Sequence, residues 1–186
     1  MRLARFCRRA VPAGMSALLV ALLASCALFR HENPDVAALP LLNDAEKQRL
    51  SDWLDDHPEL RVPSEAECGC DDHIQRLRKA GVWSKGIPDY HPYVTVADLN
   101  GDGIEDFAVM LADRGASAEP GVLVIFNGPS DKSGGEPALV HRRLPLTRYA
   151  LFLTTQGHRL LVGPFESEGC ILEPKGATYA ENCRES

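Results

Sequence analysis

The sequence predicts an α+β domain, with one or two N-terminal helices packed on a mainly antiparallel meander sheet of about 6–8 short strands. Capped helical patterns lie between residues 43 and 81, and short apolar runs separated by glycine, proline and asparagine follow Trp83. The linkers between these runs are short enough for consecutive strands to pair antiparallel. Because 45% of the residues are hydrophobic, the chain can bury a core.

Two helices are predicted before the strands. The first begins at Asn43, whose side chain can accept from free backbone amides while Glu46 completes a capping box, and it ends before Pro58. The second begins with another capping box, formed by Ser64 and Glu67. The predicted apolar faces contain Leu50, Trp53 and Leu54 in the first helix and Cys70, Ile74 and Leu77 in the second, which Gly81 ends.

The strand candidates follow from period-two alternation and turn residues, as in Phe107, Val109 and Leu111. They are Tyr93–Ala97, Asp106–Leu111, Val122–Phe126, Ala138–Arg142, Tyr149–Thr154, Arg159–Val162, and the hairpin arms Ile171–Glu173 and Thr178–Glu181.

The charges are distributed unevenly. The chain has 20 Lys+Arg against 26 Asp+Glu, a net charge of −6, yet its first 25 residues contain four arginines and no acid. Without that segment, 16 basic residues face 26 acidic ones, a net charge of −10. Nucleic acid is therefore excluded as a partner, because its phosphates need a basic surface.

Residues 1–25 have the layout of a secretory signal, with a basic start and an apolar stretch from Met15 to Ala24. The segment Leu23-Ala24-Ser25-Cys26 resembles the lipobox of bacterial lipoprotein precursors. That resemblance implies cleavage before Cys26, lipid attachment to its thiol and acylation of the new amino terminus with chains such as palmitate. An ordinary cleaved signal and an uncleaved anchor extending to Phe29 are the alternatives.

The same resemblance predicts location and domain boundaries. Since Ala27 rather than Asp follows the cysteine, the lipoprotein sorting rule favours the outer membrane, with the protein facing the periplasm. Residues 26–42 contain two prolines and no sustained period, so we expect a lipidated tether there and a single domain over residues 43–186.

Four cysteines remain in the exported part, Cys68, Cys70, Cys170 and Cys183, and they predict two disulfides with three possible connectivities. Closing long loops stabilises more in the chain-entropy model. We therefore expect Cys68 and Cys70 each to pair with one of the C-terminal cysteines. In the alternative, Cys68, Cys70 and His73 hold a soft metal, Zn²⁺ or Cu⁺.

The segment Asp98-Leu99-Asn100-Gly101-Asp102-Gly103-Ile104-Glu105-Asp106 carries oxygen ligands on alternate residues. Such ligands converge in a tight loop, and Ca²⁺ takes six or more oxygens. We expect one calcium ion, held by the side chains of Asp98, Asn100, Asp102 and Asp106 and by the carbonyl of Ile104. Gly103 allows the sharp bend. The alternative is a hairpin turn with solvated carboxylates.

This nonapeptide resembles the calcium loops of FG-GAP and VCBS repeats, in which such a loop joins two strands. Here the strand candidates Tyr93–Ala97 and Asp106–Leu111 flank it, as the resemblance implies. The chain contains one copy, whereas a propeller needs several blades, so the resemblance implies ion binding and hairpin geometry alone. It differs from an EF-hand because Val109 stands where that loop has a bidentate glutamate.

No catalytic motif accompanies the six scattered histidines. The pair in Asp89-Tyr90-His91 is interpreted as a turn, and Asp55, Asp56 and Glu59 as solvated acids at a helix end. The leading hypothesis is a non-catalytic envelope lipoprotein with a structural calcium site, which binds an envelope protein or cell-wall component. The alternatives are a cell-wall hydrolase whose site combines distant residues, and a soft-metal carrier.

Overall fold

The computed structural model describes residues 33–79, 87–114, 120–128, 135–154, 159–165 and 167–183. One compact unit spans Pro34–Ser186. The predicted signal segment, Cys26, the first part of the predicted tether and Gly81 lie outside the described residues. Within these ranges, no helix combines the length and apolar character needed to cross a bilayer.

Three α-helices, one 3-10 helix and nine strands make up the described chain. The helices are α1 (Pro34–Ala37), α2 (Asp44–Asp55), the 3-10 helix Glu65–Cys68 and α3 (Asp71–Arg78). The strands are β1 (Leu60–Arg61), β2 (Val94–Ala97), β3 (Asp106–Asp113), β4 (Pro120–Phe126), β5 (Leu139–Pro145), β6 (Tyr149–Leu153), β7 (Leu160–Pro164), β8 (Cys170–Lys175) and β9 (Thr178–Cys183).

The predicted α+β class with mainly antiparallel strands is confirmed, but the strands form two sheets rather than one. A five-stranded sheet has the order β1-β3-β4-β5, with β2 pairing β3 beside the end of β1, and a four-stranded meander has the order β6-β7-β8-β9. Where about 6–8 strands in one sheet were expected, the described chain has nine strands in two sheets, because β3 and β4 are buried on both faces and each face needs its own cover.

The alternation along β3 separates the two cores. Phe107, Val109 and Leu111 join a cluster with residues of α1 and α2, including Leu50 and Trp53. The intervening Ala108, Met110 and Ala112 join a second cluster with residues of β6–β9 and α3. The helices therefore do not all pack on one face, since α3 contributes to the core between the sheets.

The capping box that starts α2 is as predicted. The Asn43 side chain accepts from the amides of Ala45 and Glu46, and the Glu46 carboxylate accepts from the Asn43 amide. The predicted second helix is instead split. Gly69, with a φ of 60°, ends the 3-10 helix in the left-handed region, and α3 begins two residues later.

Residues 34–42, predicted as tether, pack against the domain. Val36 and Leu42 are buried in the cluster beneath α2, and Lys47 donates to the carbonyl of Ala37 at 3.0 Å. The compact unit therefore includes these residues and begins at Pro34. The apolar residues of this short segment lack a long period, but they pack in the same buried cluster as the apolar faces of α2 and β3.

The cysteines pair locally. Cys68 bonds to Cys70, whose Cα lies 5.1 Å away across the left-handed Gly69, and Cys170 bonds to Cys183, directly opposite it in the β8–β9 register. The expected cross-pairing is wrong. Loop-closure entropy favours long loops only among pairings that the fold brings within reach, and here each cysteine has its partner beside it.

Candidate calcium loop and adjoining cleft

The predicted calcium loop connects β2 to β3. Ala97 and Asp106 face each other as the last residue pair of this antiparallel ladder, so the loop closes a hairpin. Gly101 and Gly103 have φ angles of 80° and 84°, which side-chain-bearing residues seldom adopt. These two glycines let the chain reverse within the predicted nonapeptide.

Asp106 lies at the base of the loop and is fully buried. Its Oδ2 accepts from the amides of Leu99 and Asn100, at 2.9 and 3.0 Å, and its Oδ1 accepts from the amide of Gly128 at 2.8 Å. Burial raises the pKa of this carboxyl, and the three amides, Gly128 first, oppose that rise. Asp106 thus ties both ends of the loop to the residues after β4.

The other predicted side-chain ligands bind amides within the loop. Asp98 accepts from Gly101 and Gly103, Asn100 accepts from Asp102, and Asp102 accepts from Ile104. The side-chain Nδ2 of Asn100 also donates to Asp102 Oδ2 at 3.1 Å. Asp102 and Ile104 are exposed, and Asp98 and Asn100 are half-buried. An ion arriving from solvent can therefore reach these four residues.

The carboxylates of the three predicted aspartate ligands are not gathered around one point. Among the residues that the structure describes, the only set of three Cys, His or acidic residues with ligand atoms within 4.8 Å of one another is Cys170, Glu181 and Cys183. The predicted ligands lie in one turn. Backbone amides of that turn are hydrogen-bonded to the side-chain oxygens that an ion would contact.

A cleft of about 250 Å³ adjoins the loop. One wall is formed by loop residues Ile104 and Glu105, and the opposite wall by Asn43, Glu46 and Arg49 at the start of α2. Burial raises the pKa of Glu46, the Asn43 amide opposes that rise, and the Glu105 carboxylate adds to it. Both acids therefore line the same cleft and repel each other.

Arg49 lies in the cleft and was missed by the sequence analysis. Only 6% of the residue is exposed, and it donates to the carbonyls of Asn127 and Glu136 at 2.7 and 3.0 Å. Its guanidinium lies 4.8 Å from the centre of the Phe126 ring. The sequence feature that could have identified Arg49 is its position one helical turn before Trp53, because that position places a cation on the apolar face of α2.

Tyr179 brings the second sheet to the base of the loop. Its hydroxyl donates to Asn127 Oδ1 at 2.7 Å. Burial raises the pKa of this phenol, and the carboxylates of Asp106 and Asp102 raise it further. The loop, the end of β4 and β9 therefore meet at one place.

The other sequence candidates have different partners. Cys68 and Cys70 are bonded to each other and buried, and the His73 ring stacks on Phe165, so these three residues do not form a metal cluster within the described chain. His91 bonds to Glu65 at 2.5 Å. Asp55, Asp56 and Glu59 are exposed, as interpreted.

Comparison with protein families, with curated proteins and with solved structures finds no match to this chain.

Proposed function

We propose that the protein is a non-catalytic envelope lipoprotein whose domain is a binding module with one structural calcium site. Lipid attached to Cys26 anchors it in the outer membrane, facing the periplasm. Calcium is held by Asp98, Asn100, Asp102, Asp106 and the Ile104 carbonyl. The partner is an envelope protein or a cell-wall component.

One observation carries the binding role: the candidate calcium loop forms a wall of the cleft. Ile104 and Glu105 line the cleft, while Asp98, Asn100 and Asp102 lie in the same turn. An ion that replaced the hydrogen bonds within the turn would hold that wall rigid. Ile104, 39% exposed, would then present an apolar side chain in a fixed position to a partner.

The charge around the loop supports a cation. Asp98, Asp102, Glu105 and Asp106 lie within nine residues, and the domain has an acidic excess. Arg49 is a cation beside the loop: burial lowers the pKa of its guanidinium, and the Asp106 carboxylate opposes that effect. Arg49 is already bonded to two carbonyls, so it offsets only part of the repulsion among the loop acids.

Calcium titration tests the site. The full chain carries Cys26→Ser so that no lipid is attached. We expect it to give heat of binding and a dissociation constant of about 10⁻⁴ to 10⁻³ M, as in other extracellular modules. At 10 mM Ca²⁺ this corresponds to about 1.4–2.7 kcal/mol of added stability and a higher melting temperature.

Matched variants distinguish calcium binding at the loop from nonspecific binding to exposed acids elsewhere. Asp98→Asn with Asp102→Asn should abolish the calcium response, whereas Asp55→Asn with Asp56→Asn, which removes two exposed acids at the end of α2, should retain it. Absence of both binding heat and a calcium-dependent melting shift in the parent chain would contradict the calcium site.

A further inference from the structure

The C-terminal hairpin gathers a second set of metal-binding side chains, separate from the loop. Cys170 on β8 and Cys183 on β9 are bonded across the strands, and the Glu181 carboxylate lies within 4.8 Å of both sulfurs. His141, on β5 of the other sheet, has its Nδ1 2.5 Å from Glu181 Oε1. Two sulfurs, a carboxylate and an imidazole thus lie in one chain of contacts.

The two disulfides differ in exposure, which decides which one a reductant can reach. Cys68 and Cys70 are 0% and 2% exposed. Cys183 is exposed and Cys170 half-buried. Because exchange requires a thiolate to contact one sulfur directly, an external dithiol should open Cys170–Cys183 first.

We propose that reduction of the Cys170–Cys183 disulfide creates a Zn²⁺ site whose ligands are the two thiolates, Glu181 and His141. An external dithiol supplies two electrons and two protons: its two sulfurs become a disulfide, the Cys170–Cys183 bond breaks, and two thiols form. Zn²⁺ then displaces both thiol protons to solvent. In the oxidised hairpin the sulfurs are bonded to each other, so the site is absent.

The strand geometry suits the two thiolates and Glu181, and His141 lies beside them through its contact with Glu181. Zn²⁺ prefers four ligands from sulfur, nitrogen and oxygen in a tetrahedral arrangement, with Zn–S distances of about 2.3 Å. Directly paired positions, here with Cα atoms 4.1 Å apart, keep the two thiolates side by side after the bond opens. Glu181 stands two residues before Cys183 and therefore on the same face of β9.

The site would connect the two sheets. Besides the His141–Glu181 contact, the described residues join β9 to the first sheet through the Thr178 hydroxyl, which donates to the Ala138 carbonyl at 2.8 Å. These contacts keep His141 beside the hairpin when the disulfide opens. Zinc would replace the covalent bond between Cys170 and Cys183 as the side-chain link between β8 and β9. It would also link both strands to β5 through His141.

Metal loading of the full chain with Cys26→Ser tests the proposal. The protein is reduced with a dithiol, freed of it without oxygen, and exposed to Zn²⁺ or, as a spectroscopic probe, Co²⁺. We expect one ion per chain after reduction, with a thiolate-to-cobalt absorption band, and no retained ion in the oxidised chain. His141→Gln should weaken zinc binding about 10-fold or more.

Matched cysteine variants assign the ion to the hairpin. Cys170→Ser with Cys183→Ser should abolish binding, and Cys68→Ser with Cys70→Ser should leave it intact. The reverse pattern in these variants would overturn the proposal. So would equal retention of zinc by the oxidised and reduced chains, or a reduced chain whose circular dichroism is that of an unfolded protein. Because His141→Gln keeps all cysteines, unchanged affinity in that variant would remove His141 from the ligand set.

Discussion

Asp106 shows how one side chain can carry both a ligand signal and a structural task. In sequence it is the last acid of a calcium-type loop. In the structure it is fully buried and accepts three backbone amides, from Leu99, Asn100 and Gly128. These charge-assisted bonds offset the cost of removing the carboxylate from water. Its first role is therefore to hold the loop in place, with or without an ion.

We expect Asp106→Asn to lower the free energy of unfolding by about 2–4 kcal/mol even in a chelator. The amide group of asparagine would present donors where the carboxylate now accepts, so at least one buried backbone amide loses its partner. Urea unfolding in EDTA measures the effect. Asp102→Asn, at an exposed position in the same loop, is the control and should cost less than about 1 kcal/mol. Equal losses in the two variants would assign Asp106 no special anchoring role.

The segment between β1 and α3 is held by side chains because it contains little regular structure. Arg61 and Glu67 form two bonds, at 2.8 and 2.5 Å, and Glu67 also accepts from the amide of Ser64. The Arg61 hydrogen bond, opposed by burial, lowers the pKa of Glu67 to about 2. This ion pair stands directly before Cys68 and so supports the turn that closes the Cys68–Cys70 bond.

A pH dependence follows from that shift. The unfolded chain, with a glutamate pKa near 4.5, binds a proton before the folded chain does, so the stabilisation is complete above about 4.5 and is lost as pH falls towards about 2. We expect Glu67→Gln to cost about 1–2 kcal/mol at pH 6, less than the full shift because the pair is about one quarter exposed.

Urea unfolding at several pH values measures this difference. The cost of Glu67→Gln should shrink steadily between pH 4.5 and the lowest pH at which the protein still folds. Glu168→Gln, at an exposed position between β7 and β8, provides the control. It should neither lower the free energy of unfolding nor change its pH dependence. A cost that is constant across this range would contradict the ion pair as its cause.

The described residues of the compact unit form three layers: α1 and α2, the five-stranded sheet, and the four-stranded sheet. Because residues 34–42 belong to the first layer, the compact unit begins eight positions after Cys26 in sequence. At about 3.5 Å per extended residue, the link from a lipidated Cys26 reaches at most about 30 Å. A lipid-anchored form would thus hold the domain close to the headgroups, and its partner must bind near the membrane.

We expect the full precursor, expressed in a bacterium with an outer membrane, to fractionate with that membrane. Cys26→Ser should remove it from the outer-membrane fraction, because only a thiol at this position accepts the lipid. Cys7→Ser, which alters a cysteine within the predicted leader, is the matched control and should leave the fractionation unchanged. Unchanged outer-membrane fractionation of Cys26→Ser would contradict the lipid anchor.

Local features of this protein were predictable because their causes are local. The capping box at Asn43 and Glu46 depends on residues three apart, and the hairpin around the acidic loop depends on glycines and alternating apolar residues on either side. Eight of the nine strands were placed within a few residues for the same reason, and the two-residue β1 was too short to show a period.

The sequence by itself determined the α+β class, the strand positions and the acidic loop between β2 and β3. Only the tertiary structure decided the cysteine pairing, the division into two sheets, the packing of residues 34–42 and the place of Arg49 in the cleft. Each of these depends on groups far apart in the chain, such as Arg49 and the carbonyl of Asn127. Sequence patterns report which groups must be buried or paired, whereas the partners are selected by the distances that folding creates.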